Sequence, residues 1–183
     1  MEFTIARDTF LKSLGHANGI IEKKTTLPIL SNILIEAKDS KIKIIATDLD
    51  IIYFEEILPQ EIKKEGSTTT SASTLYDILR KLPTNANVEL SLSSTNKLKL
   101  VSGNSKFSLL CLPIDNFPLS EEAIEEKKFE VSPQKFIKLL NKTKISISND
   151  ETRHYLNGIF LHKTKIEDKS FLCGVSTDSH RLS

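Results

Sequence analysis

The chain has 183 residues, of which 39% are hydrophobic, and a formal net charge of +1. That is length for one large domain or one and a half ordinary ones, with enough apolar content for a real core. Near-neutrality excludes bulk charge as the basis of a partnership, so a polyanion partner requires segregated charge.

The first predicted element is FTIA from Phe3, which alternates as a strand does. Helical spacing follows at Phe10, Leu11 and Leu14, after a polar junction suited to an N-cap. Strands are predicted at 33–36, 41–46 and 51–58. A second helix lies in TTTSASTLYDILRKL, where Leu75, Tyr76 and Leu79 align with Phe10, Leu11 and Leu14. Strands at 88–92, 97–101 and 106–112 come next. KIKI, VELSL, KLKL and KFSL all alternate, as strands with one wet face should.

The charged, proline-containing stretch PLSEEAIEEKKFE marks a boundary between domains 1–126 and 127–183. Beyond it the plan repeats. Phe3, Ile5, Phe10, Leu11, Lys12 and Leu14 fall on Phe129, Val131, Phe136, Ile137, Lys138 and Leu140. LSNILIEA resembles YLNGIFLH, with Asn32 on Asn157, and Thr47-Asp48 falls on Thr177-Asp178. Two last strands are predicted at 155–161 and 170–176. The fold class is therefore α+β: repeated strand–helix–strands units, with helices on one face of antiparallel sheets. Such units bury their apolar faces against neighbours. The third unit has no partner unit in this sequence, so 129–183 is expected to be loosely held.

Positive charge is placed on the helices: Arg7, Lys12 and His16 on the first, Arg80 and Lys81 on the second. Lys135, Lys138 and Lys142 share a face of the third, with no acid between Ser132 and Ser148. Acids gather instead at Glu55-Glu56 and Glu121–Glu126. Phosphate is the natural partner of such faces.

Catalytic and metal readings are weaker. Asp48 and Asp50 in TDLD are candidate metal ligands, but Asp48 and Asp178 read better as turn formers that hydrogen-bond local backbone. His180 near Asp178 and Ser179 lacks a nucleophile elbow. Cys111 and Cys173 have no metal spacing and suit a reducing compartment. MEFTIARD lacks a secretory apolar segment, and no apolar run nears the ~20 residues of a membrane span. The expectation is a cytoplasmic protein without metal, cofactor or catalytic residue.

The stretches TLPILSN, TDLD, FSLLCLPIDNFP, RHYLNGIFL and TDSHRLS resemble the bacterial DNA polymerase III beta subunit family, the sliding clamps. The likeness runs the length of the chain. It covers the first domain and half of the central domain of a three-domain protein, so the chain is expected to be an N-terminal fragment. The resemblance implies a DNA-clamp fold and a head-to-tail homodimeric ring without a catalytic site. Duplex DNA of any sequence threads that ring, which tethers the polymerase III catalytic subunit, is opened by a clamp loader and confers processivity.

By resemblance, Lys24, Arg80, Asp150, Arg153, His154 and Tyr155 contact DNA, joined by Lys12 and Lys138 from the helix faces. Asp150 stands where the family has a neutral polar residue, and His154 where it has an aromatic one. Leu156, Thr177, Ser179, His180, Arg181 and Leu182 form one wall of a pocket for partner peptides. Ser179 replaces the usual glycine there. Phe107 and Leu109 lie on the edge strand that joins the next subunit. The alternative is a truncated interaction module, or decoy, that binds clamp partners without forming a ring.

Overall fold

The computed structural model describes residues 1–21, 27–93, 96–118 and 130–183. They cluster into two compact units, Met1–Glu122 and Ala123–Ser183.

The first unit runs β1 (Glu2–Ala6), α1 (Arg7–Ala17), β2 (Asn32–Lys38), β3 (Lys41–Thr47), β4 (Ile52–Ile57) and β5 (Glu61–Lys64). It continues with β6 (Gly66–Ser71), α2 (Ala72–Lys81), β7 (Asn87–Leu92), β8 (Lys97–Ser102) and β9 (Ser105–Leu110). The strands make two antiparallel sheets, ordered β5-β1-β7-β8-β9 and β4-β3-β2-β6. Each repeat gives away its first strand. β1 pairs with β7 of the other repeat, Ile5 opposite Val88, while β6 pairs with β2, Ser71 opposite Asn32. Neither sheet is complete without the other repeat.

Alternation decides which side chains meet. Phe3 and Ile5 of β1, Ile42 and Ile44 of β3, and Leu98 and Leu100 of β8 enter one core. α1 adds Phe10, Leu14 and Ala17, and α2 adds Ala72, Leu75 and Leu79. Phe3 and Phe10 meet edge to face at 6.4 Å between ring centroids, a favoured aromatic geometry. β2 and β3 are nearly continuous in apolar residues because they are covered twice. Leu34 and Ile45 pack on their other face with Phe117.

The helix starts differ. Ser71 caps α2 by accepting from the Thr74 amide at 3.4 Å. Ala6 gives α1 no side-chain cap; there the Arg7 amide donates to Ala86 O at 2.9 Å, and the Asp8 carboxylate accepts from the Asn85 amide at 2.8 Å.

The second unit holds α3 (Pro133–Thr143), β10 (Phe160–Ile166) and β11 (Lys169–Val175). β10 and β11 form a two-stranded antiparallel ladder from Phe160↔Val175 to Ile166↔Lys169. α3 packs on β11 at Gly174, where an added Cβ would lie 3.3 Å from the Leu139 side chain. None of this unit's described apolar residues is fully buried. Its buried residues are the hydroxyls Thr143, Ser146, Ser148 and Ser176. Ser176 donates to Thr143 O, and Thr143 donates to Leu139 O at 2.9 Å.

Most expected strands are present. β5 was not anticipated, because EIKK is too short and polar to alternate legibly. The strand expected at 155–161 is displaced. Glu151–Leu156 is 3-10 helix, and β10 begins only at Phe160, after Gly158. Phe129, the expected start of the third repeat, and the 121–126 acids lie outside the described residues. No described helix is long and apolar enough to cross a membrane.

Candidate nucleic-acid interface

Two turns carry the repeat down to single hydrogen bonds. In the first, the Leu49 amide donates to Thr47 Oγ1 at 3.0 Å, and the Asp50 and Ile51 amides donate to Asp48 Oδ1 at 3.1 and 2.7 Å. In the second, the Ser179 amide donates to Thr177 Oγ1 at 3.1 Å, and the His180 and Arg181 amides donate to Asp178 Oδ1, both at 3.0 Å. Leu49 and Ser179 both sit at positive φ, 85° and 76°. Asp48 and Asp178 are turn formers, their carboxylates turned onto backbone amides. Among the described residues, no three metal-ligating side chains gather.

The cations divide sharply. Lys12, Lys135, Lys138 and Lys142 are exposed on α1 and α3, and none has an ion pair among the described residues. Arg80 on α2 is exposed but held at 3.1 Å by Asp77. One expectation for α1 fails. Arg7 is buried, with Nε donating to Leu79 O at 2.7 Å, Nη2 to Arg80 O at 3.0 Å and Nη1 to Asp8 Oδ1 at 2.6 Å. It closes the carbonyl end of α2 rather than facing solvent, as a guanidinium fork can. His16 leans on β4, 3.3 Å from Glu55 and 3.4 Å from Tyr53. Burial, then the bond to Glu55, pushes the Tyr53 phenol up to about 12.

The loop before β10 gathers the other expected contacts. The 3-10 segment breaks at Arg153, whose φ and ψ are −115° and 52°. Arg153 Nε donates to Asp150 Oδ2 at 2.8 Å, and its Nη1 donates to Ser179 Oγ at 3.2 Å. The Thr152 hydroxyl, then Arg153, hold the Asp150 carboxyl down at about 2. His154 and Tyr155 are exposed and meet edge to face at 6.0 Å. Lys24 lies outside the described residues.

A groove of about 410 Å³ follows this loop, lined by Tyr155, Leu156, Ile159, Val175 and Thr177. Thr177 bridges to Leu182, which is 73% exposed, and its hydroxyl donates to Arg181 O at 2.7 Å. Of the expected pocket residues, Leu156 and Thr177 line this groove. Ser179, His180, Arg181 and Leu182 stand on the adjoining turn. In the first unit, an apolar groove of about 460 Å³ lies at Ile29, Leu30, Leu49 and Leu112, which sequence reading missed. The repeat alignment was the available signal, since it sets Leu49 on Ser179.

The free edge of β9 corrects one further expectation. Phe107 is 37% exposed, but Leu109 points into its own core at 5%. The strand's other exposed apolar side chain is Leu110, at 75%. Period two puts Leu109 and Leu110 on opposite faces.

Interlocked antiparallel sheets, a duplicated strand–helix plan and basic helix faces define an α+β DNA-clamp fold. Residues 1–121 match the DNA polymerase III beta subunit N-terminal domain, and residues 130–183 match the central domain of the same subunit. The chain belongs to the DNA polymerase III beta subunit family. The beta sliding clamp of Caulobacter vibrioides is 40% identical over 184 residues, covering 100% of this chain and 49% of the relative. That of Rickettsia felis is 38% identical over 183 residues, covering 100% of this chain and 47% of the relative. Among solved structures, a beta sliding clamp of Caulobacter crescentus superposes with a TM-score of 0.94 at 40% identity, over 100% of this chain and 48% of that one. A sliding clamp of Bartonella birtlesii bound to griselimycin gives 0.93 at 41% identity, again over 100% and 48%. The chain thus spans about half the length of the curated relatives it matches.

Proposed function

We propose that this chain acts in DNA replication as the DNA-gripping part of a sliding clamp, with no chemistry of its own. In this reading the clamp is a head-to-tail homodimeric ring that encloses duplex DNA, holds the polymerase III catalytic subunit on its template and depends on a clamp loader. Residues 1–126 form one clamp domain and 127–183 the first half of a second. Lys12, Lys24 and Lys138 contact phosphate, and Arg80 and the Asp150–Tyr155 loop border the duplex, with His154 and Tyr155 the loop's exposed contacts. Leu156, Thr177, Ser179, His180, Arg181 and Leu182 receive partner peptides, and the β9 edge with Phe107 joins the neighbouring subunit.

The observation that carries this reading is the set of exposed lysines on α1 and α3 that have no ion pair among the described residues, with Lys135, Lys138 and Lys142 on a helix that contains no acid. Lysines that approach phosphate without reading bases give an attraction that is weak, indifferent to sequence and steeply dependent on salt. Anisotropy titration of a labelled duplex tests it. Binding at low ionic strength should be equal for duplexes of unrelated sequence and should fall linearly with log salt. Lys138→Glu should weaken it at least several-fold. No binding at low salt, or binding that depends on base sequence, overturns the proposal.

A further inference from the structure

Each of the chain's four arginines lies against an aspartate: Arg7 by Asp8, Arg80 by Asp77, Arg153 by Asp150 and Arg181 by Asp178. In three of the four the acid stands three residues earlier, in DILR, DETR and DSHR. The lysines of α1 and α3 have no such partner among the described residues. The two cations differ in what they do to phosphate. A lysine is a mobile point charge, whereas a guanidinium binds phosphate through two parallel hydrogen bonds and holds it in register. A carboxylate already on the guanidinium competes for those same donors.

We propose that Asp77 and Asp150 are built-in counterions for Arg80 and Arg153, withholding both arginines from phosphate and leaving the grip on the duplex to lysine. The inference rests on the duplex-DNA reading above. Arg153 carries it furthest, because two of its three guanidinium nitrogens are engaged, Nε by Asp150 and Nη1 by Ser179. Asp150 is itself fastened by Thr152, whose amide and hydroxyl donate to Oδ1 at 3.0 and 2.6 Å. A phosphate reaching Arg153 must displace a carboxylate anchored to the same loop. The arrangement keeps attraction without register, which suits a protein that must move along its polyanion.

Asp150→Asn tests this directly. Asn keeps the Oδ1 acceptor for Thr152 and removes the charge. Against a labelled duplex, Asp150→Asn should bind roughly two- to fivefold more tightly than the parent chain, an exposed ion pair being weak. Its log-affinity against log-salt plot should steepen by about 0.9, one added phosphate contact. Arg153→Ala should change little in the parent and should abolish the gain in Asp150→Asn. Asp115→Asn, an equal charge change on an exposed acid with no arginine beside it, should leave the slope unchanged. Urea melts of each variant establish that it is folded. If the parent binds and Asp150→Asn matches it in affinity and slope, the counterion role is wrong while the DNA reading stands. An equal gain from Asp115→Asn also overturns it, reducing the effect to net charge. A parent that does not bind duplex removes both.

Discussion

Arg7 is where a single side chain decides most. It joins the start of α1 to the end of α2 through the carbonyls of Leu79 and Arg80. The Leu79 carbonyl also accepts from the Leu82 amide at 3.2 Å, and the guanidinium adds charged donors at a helix end, where carbonyls outnumber amides. Arg7→Ala should lower unfolding free energy by about 2–3 kcal/mol in urea melts, because it removes charged hydrogen bonds from a buried site. Lys12→Ala, one turn on and exposed, should stay within about 0.5 kcal/mol. The acids define a second expectation. The Arg7 hydrogen bond, then the Asn85 amide, lower the Asp8 carboxyl. The Thr152 hydroxyl lowers Asp150 from 3.8 to about 2, and the His180 and Arg181 amides lower Asp178. Each is more acidic folded than unfolded. Their support is therefore complete above the ordinary carboxylate value and is lost as pH falls through the folded one. The urea midpoint should drop from about pH 4 towards pH 2, and less steeply in Asp8→Asn. A midpoint flat across that interval would refute this.

At the scale of elements, caps and edges separate positions that look alike. Ser71 and Ser132 both precede helices. Ser71 accepts from the Thr74 amide, whereas the Ser132 hydroxyl donates to Gln134 Oε1 at 3.0 Å and caps nothing. Ser71→Ala should cost about 1 kcal/mol, and Ser132→Ala clearly less. Leu109 and Leu110 are neighbours on β9 with opposite fates. Leu109→Ala should cost about 2–4 kcal/mol, a core truncation. Leu110→Ala should be nearly neutral for folding. Equal losses at the two would mean that the strand's register is other than Leu98 opposite Leu109.

At the scale of the whole molecule, the two units differ in kind. The first exchanges strands between repeats and buries a common apolar core. The second has a two-stranded sheet and partly exposed apolar residues, including Phe160 at 68% and Tyr155 at 72%. Two-stranded ladders are marginal in water. Hydrogen exchange should therefore protect β2, β3 and β7 most, with β10 and β11 exchanging far sooner. Equal protection would contradict the burial pattern.

What the sequence by itself determined was local or periodic. Alternation showed β3, β7 and β8, and helical spacing showed all three helices. The offset between copies paired Thr47-Asp48 with Thr177-Asp178, and short-range hydrogen bonding made both into the same turn. Only the tertiary structure decided that Arg7 turns inward, that His16 meets Glu55, and that Leu109 belongs to its own core. Those outcomes depend on partners 39 and 72 residues away, and on which face of a sheet the other repeat covers. A chain read in one dimension carries periods and near neighbours. The burial of a charge is set by what folding brings against it.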